Sequence, residues 1–190
     1  MNRALTQVAT RLRQKPEAVT AAEIIPAIRS TSDANGFAKY IIDIIDPREQ
    51  VRVAELILGL VPENEAAAVA LGFALLDLQE HERAMEVALR AKRLFPNSKK
   101  VLEMVLQVYS PYNYFDFNQA LATRLREVDA HTARGAMYLA RLYALKGNRP
   151  RALAALAEAE AALTAKFERN RIAMTRRDVE EGGDVLKSWP

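Results

Sequence analysis

Side chains able to do covalent or metal chemistry are few in this sequence. There is no cysteine, which excludes disulfides, thiolate metal sites and cysteine nucleophiles together. The two histidines, His81 and His131, stand far apart without an acidic cluster beside either, so a histidine metal site is not expected. Glu180 and Glu181 precede Gly182 and Gly183 and read as a solvated end rather than an acid–base pair. No phosphate-binding glycine loop, nucleophile elbow or HExxH motif occurs. The chain is therefore expected to have no catalytic residues, no cofactor and no metal, and to act by binding.

Three stretches have the chemistry of contact surfaces. AAAVALGFALLDLQ, 66–79, has no polar side chain from Ala66 to Leu76, and Val69, Phe73 and Leu76 recur at helical spacing beside Asp77. An apolar stripe of this kind is rarely left bare, so a partner, a second copy or another part of the chain should cover it. YSPYNYFDF, 109–117, concentrates five aromatic residues, of the type enriched at interface hot spots. Tyr109 and Phe117 sit at helical positions and read as filling; Tyr112, Tyr114 and Phe115 are contact candidates. KFERNRIAMTRR, 166–177, offers Arg169, Arg176 and Arg177 to an acidic partner, or forms a solvated face paired with Asp178, Glu180 and Glu181.

Charge follows the same unevenness. Net charge is +3, but residues 133–177 carry ten Lys or Arg against three Glu, and 178–190 carry four acids against one lysine. Nucleic acid is disfavoured as a partner, because the basic segment lacks the stacking aromatics that single-strand binders use. The eleven-residue apolar run at 66–76 is shorter than the roughly 20 residues that cross a bilayer. MNRALTQVATRLRQ is amphipathic and reads as a plain N-terminal helix rather than a signal. No membrane span and a cytoplasmic location are the expectation.

Elements able to carry these residues are all helical. Glycine is scarce, apolar residues recur every three or four positions, and YIIDIID at 40–46 reads as a helix end stopped before Pro47. Proline and glycine punctuation predicts helices at 2–14, 17–29, 33–45, 48–60, 65–78, 82–94, 99–110, 117–128, 133–145 and 149 to about 175.

Residues 65–98 carry Leu71, Gly72, Leu75, Ala84, Ala91 and Pro96 at fixed offsets; residues 133–166 carry Leu139, Ala140, Tyr143, Gly147, Ala152, Leu156 and Ala159 at the same ones. This pattern resembles the tetratricopeptide repeat, a 34-residue helix-turn-helix unit. Ala68 and Ala88 depart from it, replacing a tryptophan and a phenylalanine. Residues 99–132 keep Val105, Leu106 and Tyr109 in the first helix, but their second helix reads as out of phase. Residues 31–64 keep Ala38, Ile41, Ala54 and Pro62, with Gln50 at a small-residue site.

The resemblance implies an all-α, right-handed α-solenoid. It would have an N-terminal helical pair (1–30), four repeats (31–64, 65–98, 99–132, 133–166), and a long last helix continuing into an acidic tail (167–190). It also implies that positions 2, 5, 9, 12 and 13 of each repeat line a partner-binding groove. These are Ala66, Val69, Phe73, Leu76 and Asp77; Lys100, Glu103, Gln107, Ser110 and Pro111; and Arg134, Met137, Arg141, Ala144 and Leu145, with Lys39 and Asp43 upstream. Val69 and Phe73 stand where chaperone-tail clamps keep lysine and asparagine, which argues against that use. The expected partner is a protein or peptide, with homo-oligomerisation also open. A regulatory or oligomerising role in a larger enzyme or secretion system is the alternative, and polyanion binding a third reading.

Overall fold

The computed structural model describes residues 3–28, 30–41, 44, 46–112, 114–129, 133–162 and 166–182. Among them there is no strand. The helices are α1 (Arg3–Gln14), α2 (Ala21–Ala27), α3 (Thr31–Ala38), α4 (Pro47–Leu60), α5 (Glu65–Asp77), α6 (His81–Leu94), α7 (Lys99–Tyr109), α8 (Phe115–Val128), α9 (Arg134–Leu145), α10 (Arg149–Ala161) and α11 (Lys166–Glu181), with a 3-10 turn at Pro16–Ala18. They form two compact units, Met1–Pro96 and Asn97–Pro190.

The 34-residue period is visible in the helix starts. First helices begin at Thr31, Glu65, Lys99 and Arg134, and second helices at Pro47, His81, Phe115 and Arg149. The caps explain why. Ser30, Asn64 and Ser98 stand 34 apart, and each side-chain oxygen accepts the backbone N–H three residues on, from Asp33, Ala67 and Val101. Such a cap satisfies one of the amides a helix start leaves open and contributes about 1 kcal/mol.

Packing within each unit follows from this alternation. In the first, α5 lies against α4, α6 and α3; in the second, α8 lies against α7 and α9, and α10 against α9 and α11. Ala84, Ala88 and Ala91 on α6, and Ala152, Leu156 and Ala159 on α10, are all buried. Small side chains let helix axes approach closely. Gly135 on α9 approaches closest: a Cβ there would lie 2.8 Å from the Arg126 backbone nitrogen and 3.0 Å from the Ala122 carbonyl oxygen, both on α8.

Four sequence expectations need correction. The helix predicted to reach residue 45 ends at Ala38. Beyond it Ile44 N–H donates to the Ile41 carbonyl, and both isoleucines are buried. The predicted 17–29 helix is a 3-10 turn followed by α2.

The second helix of 99–132 is in phase. Asn118, Ala122 and Leu125 occupy the buried sites that Ala84, Ala88 and Ala91 hold 34 residues earlier. What differs is polarity at the first site. Asn118 Nδ2 donates to the Tyr109 carbonyl at 3.1 Å, and Gln50, at the equivalent position of 31–64, donates to the Ile44 carbonyl at 2.5 Å. In both irregular repeats an amide replaces a small residue and ties down the preceding turn.

Finally, the single helix predicted from 149 to about 175 is two helices. α10 stops at Ala161, and α11 starts anew at Lys166 and packs on α10 and α9. Ile172, Thr175 and Val179, one stripe of α11, are all buried.

Candidate functional site: the faces of the first helices

In the first unit the candidate face belongs to α5. Eight of its residues are buried, so this helix keeps almost no side for water. Val69 is among them, 6% exposed, and supports the face from within rather than forming contact surface. Phe73 and Leu76 are half-buried, three residues apart on one side, and Asp77 is exposed beside them. The start of α5 is fixed by the buried Asn64, whose Oδ1 takes the Ala67 amide and whose Nδ2 donates to Asn35 Oδ1 on α3 at 2.9 Å. Lys39 is exposed just past α3, and Asp43 lies outside the described residues.

In the second unit, α7 and α9 present adjoining faces. Arg134 Nη1 donates to Glu103 Oε2 at 2.5 Å, and Arg141 Nη1 donates to Ser110 Oγ at 3.2 Å. Two bonds about two turns apart thus lace α9 to α7. Gln107 and Arg134 are exposed, whereas Met137 and Arg141 are 2% and 5% exposed. Met137 and Arg141 are therefore buried rather than part of the open surface.

Electrostatics here reflect burial. Desolvation raises the Glu103 carboxyl above its ordinary 4.5 despite the nearby Arg134 and Lys99. The buried Tyr138 is pushed up to about 12 by desolvation first, with the charge of Glu103 adding to the rise and those of Arg141, Arg171 and Arg134 opposing it. Burial lowers Arg141 from its usual value. Lys99 pairs with Asp129 at the start of α7.

In the aromatic turn Tyr109 is buried, Tyr114 exposed, and Tyr112, Phe115 and Phe117 half-buried. Tyr109 is buried and packs on Phe117 with ring centroids 4.9 Å apart. Tyr114 is 52% exposed, edge-on to Tyr109 at 5.9 Å and tilted against Tyr112 at 6.4 Å. Lys146, at the end of α9, lies 4.3 Å over the half-buried Phe115 ring. Leu145 is exposed next to that lysine.

On α11, Arg176 reaches Glu160 through Nε at 3.1 Å and Nη2 at 2.8 Å, and Arg177 reaches Glu181 at 3.1 Å. Arg169 is exposed. The basic segment is thus in large part a surface face with carboxylate neighbours. Sequence reasoning missed Arg171 on α11, whose charge acts on Tyr138. Its signal was the period itself: α11 begins where a fifth first helix would, and Arg171 holds the fifth position, 34 residues after Met137.

Helix pairs on a 34-residue grid, closed by matching caps and turns, define a tetratricopeptide-like fold of the α-solenoid class. Solved structures agree. The chain is similar to MamA (17% identity, TM-score 0.63, covering 83% of this chain and 85% of that one). It is also similar to TTC0263, a thermophilic tetratricopeptide-repeat protein in Thermus thermophilus (18%, 0.65, 90% and 87%). A third is YrrB, described as a tetratricopeptide-repeat protein with an unusual peptide-binding site (20%, 0.65, 86% and 87%). No family model and no curated protein matches the sequence. Among the described residues no helix is long and apolar enough to cross a membrane.

Proposed function

We propose that the protein is a peptide-binding scaffold or adaptor that holds a segment of a partner protein on the faces of its first helices. The observation carrying this reading is α5. A helix with eight buried residues still leaves two large apolar side chains, Phe73 and Leu76, half-open on one side next to an exposed Asp77. A soluble fold gains by covering such residues, and an amphipathic helix or extended peptide does so. The likeness to YrrB adds support, since that protein is described as having a peptide-binding site. In the second unit Gln107, Arg134, Tyr112, Tyr114 and Phe115 are the accessible counterparts. The protein then acts by binding, without a reaction of its own.

Peptide display on the immobilised full chain tests this. Enriched peptides should bind wild type and lose at least about tenfold affinity to Phe73→Glu, whose helicity by circular dichroism stays unchanged. Equal affinity for the variant would remove α5 from the site. Loss of a dimer mass in Phe73→Glu, without any peptide preference, would mean that a second copy covers the stripe instead.

A further inference from the structure

On three of the second helices acids and arginines pair with one another. Glu49 meets Arg52 on α4, Arg124 meets Glu127 on α8, and Glu158 on α10 meets Arg126. The last turns of α6 differ. Arg90 and Arg93 are exposed and, among the described residues, form no ion pair. Lys92 adds a third positive charge, and no acid occurs from Val87 to Pro96. The acids on α6 itself, Glu82 and Glu86, lie toward its start; Glu80 and Glu55 are taken by Arg83. Two leucines stand among these arginines, Leu89 at 39% and Leu94 at 40% exposure. At 3.6 residues per turn, Leu89, Arg93, Arg90 and Leu94 share an arc of about 140°. It lies opposite the buried Ala84, Ala88 and Ala91.

The repeat grid separates what is common in this face from what is particular. Leu94 shares its place with Leu60 and Val128, which are also exposed. Leu89 has no such counterparts: Glu55, Thr123 and Ala157 hold that place elsewhere. Arg93 stands where the other second helices carry Gly59, Glu127 and Ala161. Cations at the end of a helix suit its dipole, which accounts for the arginines. The dipole gives no reason for a leucine on the same side. One exposed leucine is ordinary, but two beside unpaired arginines make a surface both apolar and positive.

We propose that this face of α6 docks on an anionic lipid surface. Leu89 and Leu94 enter the headgroup boundary, while Arg90 and Arg93 meet lipid phosphates. The proposal concerns a second helix and does not depend on the peptide-binding reading of the first helices. Charge complementarity points to an anionic partner, and the leucines favour lipid over a bare polyanion. A lipid surface needs no groove and no register; it accepts whatever apolar and basic side chains protrude together. A nucleic acid would leave both leucines in water and would find no aromatic ring on this arc to stack against. The contact is small and therefore reversible, each arginine near such a surface strengthening partition by roughly fivefold.

The test is co-sedimentation of the full chain with vesicles of phosphatidylcholine alone, and with about one-third phosphatidylglycerol. The protein should sediment with the anionic vesicles and stay in solution with the neutral ones. Raising salt from about 0.1 M to about 0.5 M should release it. Arg90→Gln combined with Arg93→Gln should lower partition about tenfold or more. Leu89→Ser, which keeps the charge, should lower it about fivefold. Arg48→Gln combined with Arg149→Gln removes the same charge from exposed places on α4 and α10, and should change partition less than about twofold. Unchanged circular dichroism shows that the variants keep the fold. No binding to anionic vesicles, equal binding to neutral ones, equal losses in the two double variants, or full binding by Leu89→Ser would overturn the proposal. So would Arg90-dependent binding of poly-glutamate or a single-stranded oligonucleotide more tightly than of the vesicles, which would assign the face to an acidic macromolecule.

Discussion

Gln79 and Gly147, 68 residues apart, hold the same place in two copies of one turn. Both have left-handed backbones, with φ of 61° and 69°. Gln79 N–H donates to the Leu76 carbonyl and Gly147 N–H to the Ala144 carbonyl, each at 2.9 Å; the next amides, Glu80 and Asn148, reach back to Leu75 and Tyr143. Each of these donors and acceptors is displaced by 68 residues, twice the repeat. The backbone thus repeats its turn even where the side chain does not favour it.

That difference is measurable. A side chain with a Cβ is strained at positive φ, by about 1 kcal/mol, whereas glycine is not. Gln79→Gly should therefore raise stability by up to about 1 kcal/mol, and Gly147→Ala, with open space around its Cβ, should lower it by a similar amount. Urea unfolding of the two variants checks the opposite signs.

Gly135→Ala should be worse than any propensity gain can offset. Its Cβ meets the backbone of α8, at Arg126 and Ala122, which has no rotamer to yield. Separating α8 from α9 costs about 1–3 kcal/mol, as overpacking does. Gly59→Ala, with nothing within 4 Å, should instead stabilise α4 slightly. Comparing their thermal midpoints tests whether close approach or propensity governs Gly135.

Glu103 gives a pH signature. Its folded pKa lies above the ordinary 4.5 because burial disfavours the carboxylate. The folded state then binds a proton more readily than the unfolded one. Its stabilising contribution is whole below about 4.5 and is lost as pH rises through the folded value. Wild type should thus lose stability relative to Glu103→Gln across that window. A flat difference between their urea midpoints from pH 4 to pH 7 would count against the burial account.

Docking of α11 should depend on its apolar stripe more than on its ion pairs. Ile172→Ala, at 1% exposure, should cost about 2–4 kcal/mol and speed amide exchange along α11. Arg176→Ala breaks a partly exposed pair with Glu160 and should cost no more than about 1 kcal/mol, less in high salt. Hydrogen exchange of both variants, at low and high salt, separates the two contributions.

Much of this architecture is local and was therefore legible in the residues themselves. Helical periodicity, the small residues at 84, 91, 152 and 159, and the 34-residue offset of the two regular repeats are consequences of short-range geometry. The capping residues Ser30, Asn64 and Ser98 were equally readable, since a cap needs only the next three residues. Tertiary structure decided what depends on neighbours distant in sequence. It placed Asn118 and Gln50 in register, because an amide can fill a small residue's site once a carbonyl of the preceding turn lies within reach. It buried Val69, Met137 and Arg141 while leaving Phe73, Leu76 and Arg134 partly or fully open, a distinction that helical spacing alone does not make. And it packed α11 on α10 and α9, where Ile172 and Val179 are buried, because removing apolar side chains from water stabilises that contact.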